Sequence, residues 1–236
     1  MNISHKHKVI WWAPAKCGTK IIKTLLHGYD FFAQINGNEF RELETTYQSH
    51  IIAQPKEYDD YKIILSIRNP YDRIFSIFLN FQLQTFTPHK NLKNELKKEF
   101  NIWLNKIMLN EKLIVERKFL LGVNTETETY FCENLFKGRM PDFLIRMENI
   151  QEDLEKLDFI KNDLSWDSKK VEEELKTNKI KIEREYKFNS MYDIETAKKV
   201  YTFYKTHFYF CDYNPFSFTT ETLTEKEKIN FLHDIL

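Results

Sequence analysis

Two short stretches of the chain carry side chains suited to gripping an anion. The first is residues 14–20, Pro-Ala-Lys-Cys-Gly-Thr-Lys. Here Lys16 supplies a mobile positive charge, Gly18 permits close approach of the backbone, and Thr19 offers a hydroxyl. A turn of this kind between a strand and a helix directs several backbone N–H groups at one point, and the helix dipole adds to the pull, so a phosphate fits. The second stretch pairs Arg68 with Ser76, eight positions later. A guanidinium holds two phosphate oxygens at once while a hydroxyl satisfies a third, which suits a terminal phosphate. Each stretch alone also has a plain structural explanation. Lysine and glycine often separate a strand from a helix, a strand-end arginine often faces only water, and Asp72 and Arg73 have the types for local helix-surface contacts. A metal-triphosphate loop needs Gly, four residues and then Gly-Lys-Ser/Thr, and residues 14–20 hold a single glycine.

Both stretches need a sheet edge to stand on. Residues 8–13, Lys-Val-Ile-Trp-Trp-Ala, read as a buried strand, and residues 20–26 as a helix with apolar positions 21, 22, 25 and 26 on one face. Strand, loop and helix in that order open a βαβ unit, whose loop belongs at the carboxyl end of the strand, where open parallel sheets bind ligands. Residues 61–67 repeat the arrangement as a nearly continuous apolar strand, the pattern of a strand covered on both faces. Arg68 and Asn69 end it, and Pro70 suits a first helical position. The helix that follows turns Ile74, Ile77, Phe78 and Phe81 towards the sheet, with Asp72, Arg73 and Ser76 off that face. Further strands are read at 47–52, with His50 in the middle, and at 142–147, which leads into a short helix at 148–157. Residues 88–121 predict two helices and 125–137 another, capped by Gly138. Residues 165–184 read as a charged, solvated excursion, and 194–204 as an amphipathic helix whose aromatic continuation to Phe218 packs on the core.

Composition sets the outer limits. With 236 residues, folding removes roughly three quarters of the unfolded surface, enough for a core without metals or disulfides. Basic and acidic residues balance at 35 each, which gives no global support to nucleic-acid binding. The three cysteines, Cys17, Cys132 and Cys211, are widely spaced, form no metal-ligand pair and suit a reducing compartment. No apolar run approaches the roughly 18 to 20 residues that span a bilayer, so a cytoplasmic protein without an integral membrane segment is expected.

Residues 14–20 resemble the loop with which sulfotransferases that use 3'-phosphoadenosine 5'-phosphosulfate (PAPS) grip the donor's 5'-phosphosulfate. The usual form of that loop is Pro-Lys-x-Gly followed by two hydroxyl residues; here Ala15 stands between Pro14 and Lys16, and Lys20 replaces the second hydroxyl. Residues 67–76, Ile-Arg-Asn-Pro-Tyr-Asp-Arg-Ile-Phe-Ser, are similar to the family's 3'-phosphate segment. Residues 143–154 resemble a later strand and helix of the family, and 194–213 the last helix and tail of its carbohydrate-acting branch. Together the matches run in order from residue 8 to about 218.

The resemblance implies a P-loop-like three-layer α/β/α fold with a central parallel sheet and a helical elaboration on the acceptor side. One domain then spans 1–236, with 86–140 as a helical insertion and 165–184 as the charged excursion. It implies a donor site of Lys16, Cys17, Gly18, Thr19 and Lys20 around the 5'-phosphosulfate and Arg68 with Ser76 on the 3'-phosphate, with no metal. Lys16 then stabilises the leaving oxygen, and His50 is the first choice as catalytic base, with Glu57, Glu39 and Glu42 behind it and His27 and His89 weaker. The implied acceptor is a carbohydrate or glycoconjugate. Tyr29, Phe31, Phe32, Trp103, Tyr130 and Phe131 have faces for stacking on it, and Arg117, Lys118, Lys137 and Arg139 have the charge to attract an acidic one. Two rivals stand beside this reading. One is a P-loop kinase of a nucleotide or small molecule. The other is an inactive glycan-binding member of the same fold, suggested by Ala15 and Lys20.

Overall fold

A computed structural model describes residues 2–14, 16–35, 38–40, 58–82, 92–108, 139–178 and 187–233. Among them the strands are β1 (Asn2–Ser4), β2 (Val9–Trp12), β3 (Phe32–Ile35), β4 (Asn38–Phe40), β5 (Lys62–Ile67) and β6 (Phe143–Arg146). The α-helices are α1 (Thr19–Leu25), α2 (Pro70–Gln82), α3 (Leu92–Met108), α4 (Ile150–Leu154), α5 (Asp158–Lys161), α6 (Ser168–Asn178), α7 (Ile194–Phe203), α8 (Lys205–Phe210) and α9 (Glu225–His233). The chain divides into two units, Met1–Arg68 with Glu128–Lys179, and Asn69–Thr127 with Ile180–Leu236.

The first unit holds all six of these strands, in the order β4-β3-β1-β2-β5-β6. Parallel ladders join β2 to β5 and β5 to β6, with Trp12 opposite Leu65 and Ile67 opposite Arg146. The sheet is mixed, because β1 pairs antiparallel with both β2 and β3, and β4 antiparallel with β3. It follows that β3 runs in the same direction as β2. The central strands form because their residues are apolar on both faces: Ile10, Trp11, Trp12, Ile63, Ile64 and Leu65 are all fully buried. On one face Val9, Trp11, Ile64 and Ile145 pack with Ile21, Ile22 and Leu25 of α1 and with Ile150 and Leu154 of α4.

One stretch had no sequence expectation and another differs from its own. Residues 2–4 form a buried strand despite two polar side chains, because partners on both sides satisfy the backbone and Ser4 Oγ donates to the Tyr29 carbonyl at 3.1 Å. Residues 168–178, within the expected charged excursion, are the helix α6. Val171 is fully buried and Leu175, one turn on, packs against the same core, so a narrow apolar seam anchors an otherwise charged helix. The strand expected at 47–52, the helix expected at 125–137 and the second helix of 88–121 lie outside the described residues; α3 is the part of the helical insertion that is described.

His7 lies in the turn between β1 and β2, stacked on Phe159 with ring centroids 4.7 Å apart. Its Nε2 is buried without a hydrogen-bond partner among the described residues, and burial first, then Lys6, pulls its pKa below 6.5. Between the ordinary and the lowered value the unfolded chain takes up a proton that the folded chain refuses. Stability is therefore expected to be full above the ordinary histidine value and to fall as pH drops through that window. Urea midpoints measured against pH check this, and His7→Phe, which keeps the stack, should flatten the slope.

The second unit builds an aromatic core from α2, α3 and α7 to α9, with Tyr71, Phe75, Phe78, Phe100, Tyr204 and Phe208 inside. Edge-to-face pairs such as Phe75 with Phe100, at 5.4 Å, fix how these rings interlock. No helix among the described residues is long and apolar enough to cross a membrane.

Candidate functional site

The strand order reverses between β2 and β5. From β2 the chain passes through α1 to β3 on one side, while the next sheet strand after β5 is β6 on the other. Such a reversal leaves a crevice outside the carboxyl ends of the two strands, where ligands of open α/β sheets sit. The residues that leave these two strand ends are those of the first anion-gripping stretch and Arg68.

The turn after β2 is closed by the Cys17 amide donating to the Pro14 carbonyl at 3.1 Å. Lys16 and Gly18 have φ of 68° and 76°, whereas Cys17 between them does not have a positive φ. Alternation of this sign turns successive N–H groups towards one concave side, the geometry of a backbone anion nest. Lysine pays a steric penalty in the left-handed region, which Lys16 shares with Lys8 in the turn between β1 and β2. Thr19 then opens α1; it is 8% exposed, and its buried hydroxyl meets no hydrogen-bond partner among the described residues. Arg68 crosses from β5 and donates from Nη1 to the Lys16 carbonyl at 3.1 Å. Beneath both, the Trp11 indole N–H donates to Ser66 Oγ at 2.7 Å, tying β2 to β5.

The structure thus brings Lys16, Cys17, Gly18, Thr19 and Arg68 to one edge of the sheet. Cys17 is fully buried, thiol included. Lys20, the next residue of α1, is exposed. Arg73 and Ser76 differ from expectation: each is 1% exposed, where the sequence set them off the packed face of α2. The reason is that α2 has no broad solvent face, residues 73–79 being buried without interruption. Ser76 belongs to the second unit.

No protein-family model, no curated protein and no solved structure matches the chain. The site is therefore read from its own residues. Sequence reasoning gave no role to Lys23 or Met147. Lys23 is 8% exposed, one turn along α1 from Thr19 on the same face, and burial lowers its pKa. Its position inside the apolar run 21–26 was the available signal. Met147, just beyond β6, packs on Gly18: a Cβ there would lie 2.0 Å from its Sδ and 2.5 Å from its Cε. Gly18 thus gives close approach to a thioether as well as the left-handed turn. Gly18→Ala should lower stability by about 2 to 3 kcal/mol, since it adds overpacking to backbone strain. Urea unfolding checks this, and Gly18→Ala with Met147→Ala should recover only the packing part.

Other expected site residues have structural roles. The Tyr29 hydroxyl donates to the Asp163 carboxylate, Phe31 is 5% exposed in the core, and Trp103 packs on Phe78 in the second unit. Arg139 donates to the carbonyls of Asp59 and Tyr61 at 2.7 and 2.8 Å. In the third family-like stretch, buried Asp153 accepts from the Arg146 amide at 2.9 Å and from Lys156 Nζ at 2.8 Å, tying the end of β6 to α4. His27 is exposed. His50, Glu42, Glu57, His89, Arg117, Lys118, Tyr130, Phe131, Cys132 and Lys137 lie outside the described residues, as do the side chains of Phe32 and Glu39. Among the described residues no cluster of three or more His, Cys, Asp or Glu is placed to hold a metal ion.

Proposed function

We propose that this chain transfers a sulfuryl group from PAPS to a hydroxyl of a carbohydrate or glycoconjugate, on a P-loop-like α/β/α fold in the cytoplasm. The observation that carries the reading is the hydrogen bond from Arg68 to the Lys16 carbonyl, which joins two stretches that resemble opposite ends of one donor site. The buried hydroxyl of Thr19, without a hydrogen-bond partner among the described residues, adds to it, because such a group gains when a ligand oxygen arrives.

In this reading Lys16, the backbone amides of the turn, the Thr19 hydroxyl and Lys20 surround the 5'-phosphosulfate, and Arg68 takes the 3'-phosphate. The acceptor oxygen attacks sulfur in line, and the bond from sulfur to the bridging oxygen breaks. Negative charge gathers on that oxygen, where the Lys16 ammonium stabilises it by position rather than by covalent chemistry. His50 is assigned the acceptor's proton on its place in the sequence.

The test is transfer of labelled sulfate from PAPS to a panel of saccharides without added divalent cation. Labelled sugar is the expected result. Preference for ATP with magnesium over PAPS would replace the reading with a kinase, and bisphosphate binding with no transfer across the panel would replace it with a binding protein.

A further inference from the structure

Met147 follows the last residue of β6, and its side chain lies against the turn that follows β2. Its sulfur occupies the space beside Gly18 that a Cβ would need, and Ile21 Cγ2 bounds the same space, 3.3 Å from where that Cβ would lie. Met147 also packs against the apolar cluster that contains Ile21 and Ile150. Met147, Lys16, Gly18 and Arg68 all belong to the first unit. Two hydrogen bonds on either side of Gly18 report the shape of the turn. The Cys17 amide donates to the Pro14 carbonyl at 3.1 Å, and the Ile22 amide donates to the Gly18 carbonyl at 3.0 Å. A thioether suits this place because it is polarizable and asks for no hydrogen bond. Met147 is half-buried, so solvent reaches the residue, whereas Met191 is fully buried.

We propose that Met147 is a reversible oxidation site whose sulfoxide releases the turn at residues 16–18, with a hydroperoxide as the oxidant. A sulfur lone pair attacks one peroxide oxygen, the O–O bond breaks, and an S–O bond forms. The proton of the attacked oxygen passes to the departing hydroxide, so sulfur is oxidised by two electrons and the peroxide is reduced to water. A contact with no space for a Cβ has none for an extra oxygen on the Gly18 side. An oxygen turned the other way demands water or a donor, which draws the side chain off the apolar cluster. Either way Gly18 loses its support. A dithiol-dependent reductase removes the oxygen as water and restores the thioether. The effect on the turn stands on packing alone; the effect on affinity rests on the donor role proposed above.

The experiment treats the full chain with hydrogen peroxide until peptide mass spectrometry finds one added oxygen on Met147. Hydrogen exchange at the Cys17 and Ile22 amides should quicken about tenfold, and Kd for adenosine 3',5'-bisphosphate should rise about tenfold. Met147→Leu, close in volume and inert to peroxide, should give the same exchange rates and Kd before and after treatment. Met140 is 58% exposed, and Met140→Leu should stay as sensitive as the unaltered chain. Methionine sulfoxide reductase with a dithiol should reverse both changes, so the test stands even if Met147→Leu does not fold. With bisphosphate bound by the untreated chain, an unmoved Kd after oxidation of Met147 would overturn the switch. An equal response in Met147→Leu, or a Met147 that stays unoxidised while Met140 is fully converted, would overturn it too. Should the untreated chain bind no bisphosphate, the donor reading falls and the exchange rates alone decide the switch.

Discussion

Replacing Lys16 by alanine should slow single-turnover sulfuryl transfer by about 100- to 1,000-fold, with bisphosphate affinity changed by less than about threefold. The asymmetry follows from where charge appears. In the proposed reaction the ground-state donor is already solvated and held by the backbone amides and Arg68, whereas the bridging oxygen acquires charge only as its bond to sulfur breaks. A positioned ammonium then acts mostly on the transition state. Lys16 also sits at φ 68°, so alanine there inherits a strained backbone. Lys16→Gly removes that complication, because glycine accepts this φ, and it should be as slow as Lys16→Ala. Equal turnover in the glycine variant and the unaltered chain would remove Lys16 from the chemistry.

Arg68→Ala should have the opposite signature. In the proposed site its loss removes a charge-assisted hydrogen bond to the 3'-phosphate worth about 1.5 to 3 kcal/mol, so Kd for adenosine 3',5'-bisphosphate should rise about 10- to 150-fold. Adenosine 5'-phosphosulfate, which lacks that phosphate, should bind the variant and the unaltered chain alike. Arg68→Lys should recover only part of the affinity, since an ammonium has no two-pronged fork. The variant also frees the Lys16 carbonyl, so a modest fall in turnover should accompany the loss of affinity. Isothermal titration with both nucleotides and single-turnover kinetics separate these effects, and undiminished bisphosphate affinity in Arg68→Ala would end the site assignment.

The parts of the fold that were legible are those dictated by local apolar runs. Residues 62–67 and 9–12 are strands because they are too apolar to lie anywhere but inside, and α2 begins at Pro70, where a missing amide proton costs nothing. The antiparallel pairing of β1 was hidden because Asn-Ile-Ser carries no alternation long enough to register. In α6 two apolar positions one turn apart were outnumbered by charges. For the site, residue types pointed to Lys16, Gly18, Thr19 and Arg68. Their meeting depends on strand order, a property of pairings made across dozens of residues. The burial of Arg73, Ser76 and Lys23 depends on neighbours that no short window contains.

The Trp11–Ser66 bond has a mechanical consequence for recognition. It spans the two strands that flank the crevice, and both partners are fully buried, so spreading the strands would leave an indole proton stranded in the core. The bed of the crevice is for that reason stiff, and adaptation to different ligands falls to the part-exposed arms of Lys16 and Arg68 above it. In the proposed donor site, selectivity is then set by how far two cationic side chains reach over an unyielding platform.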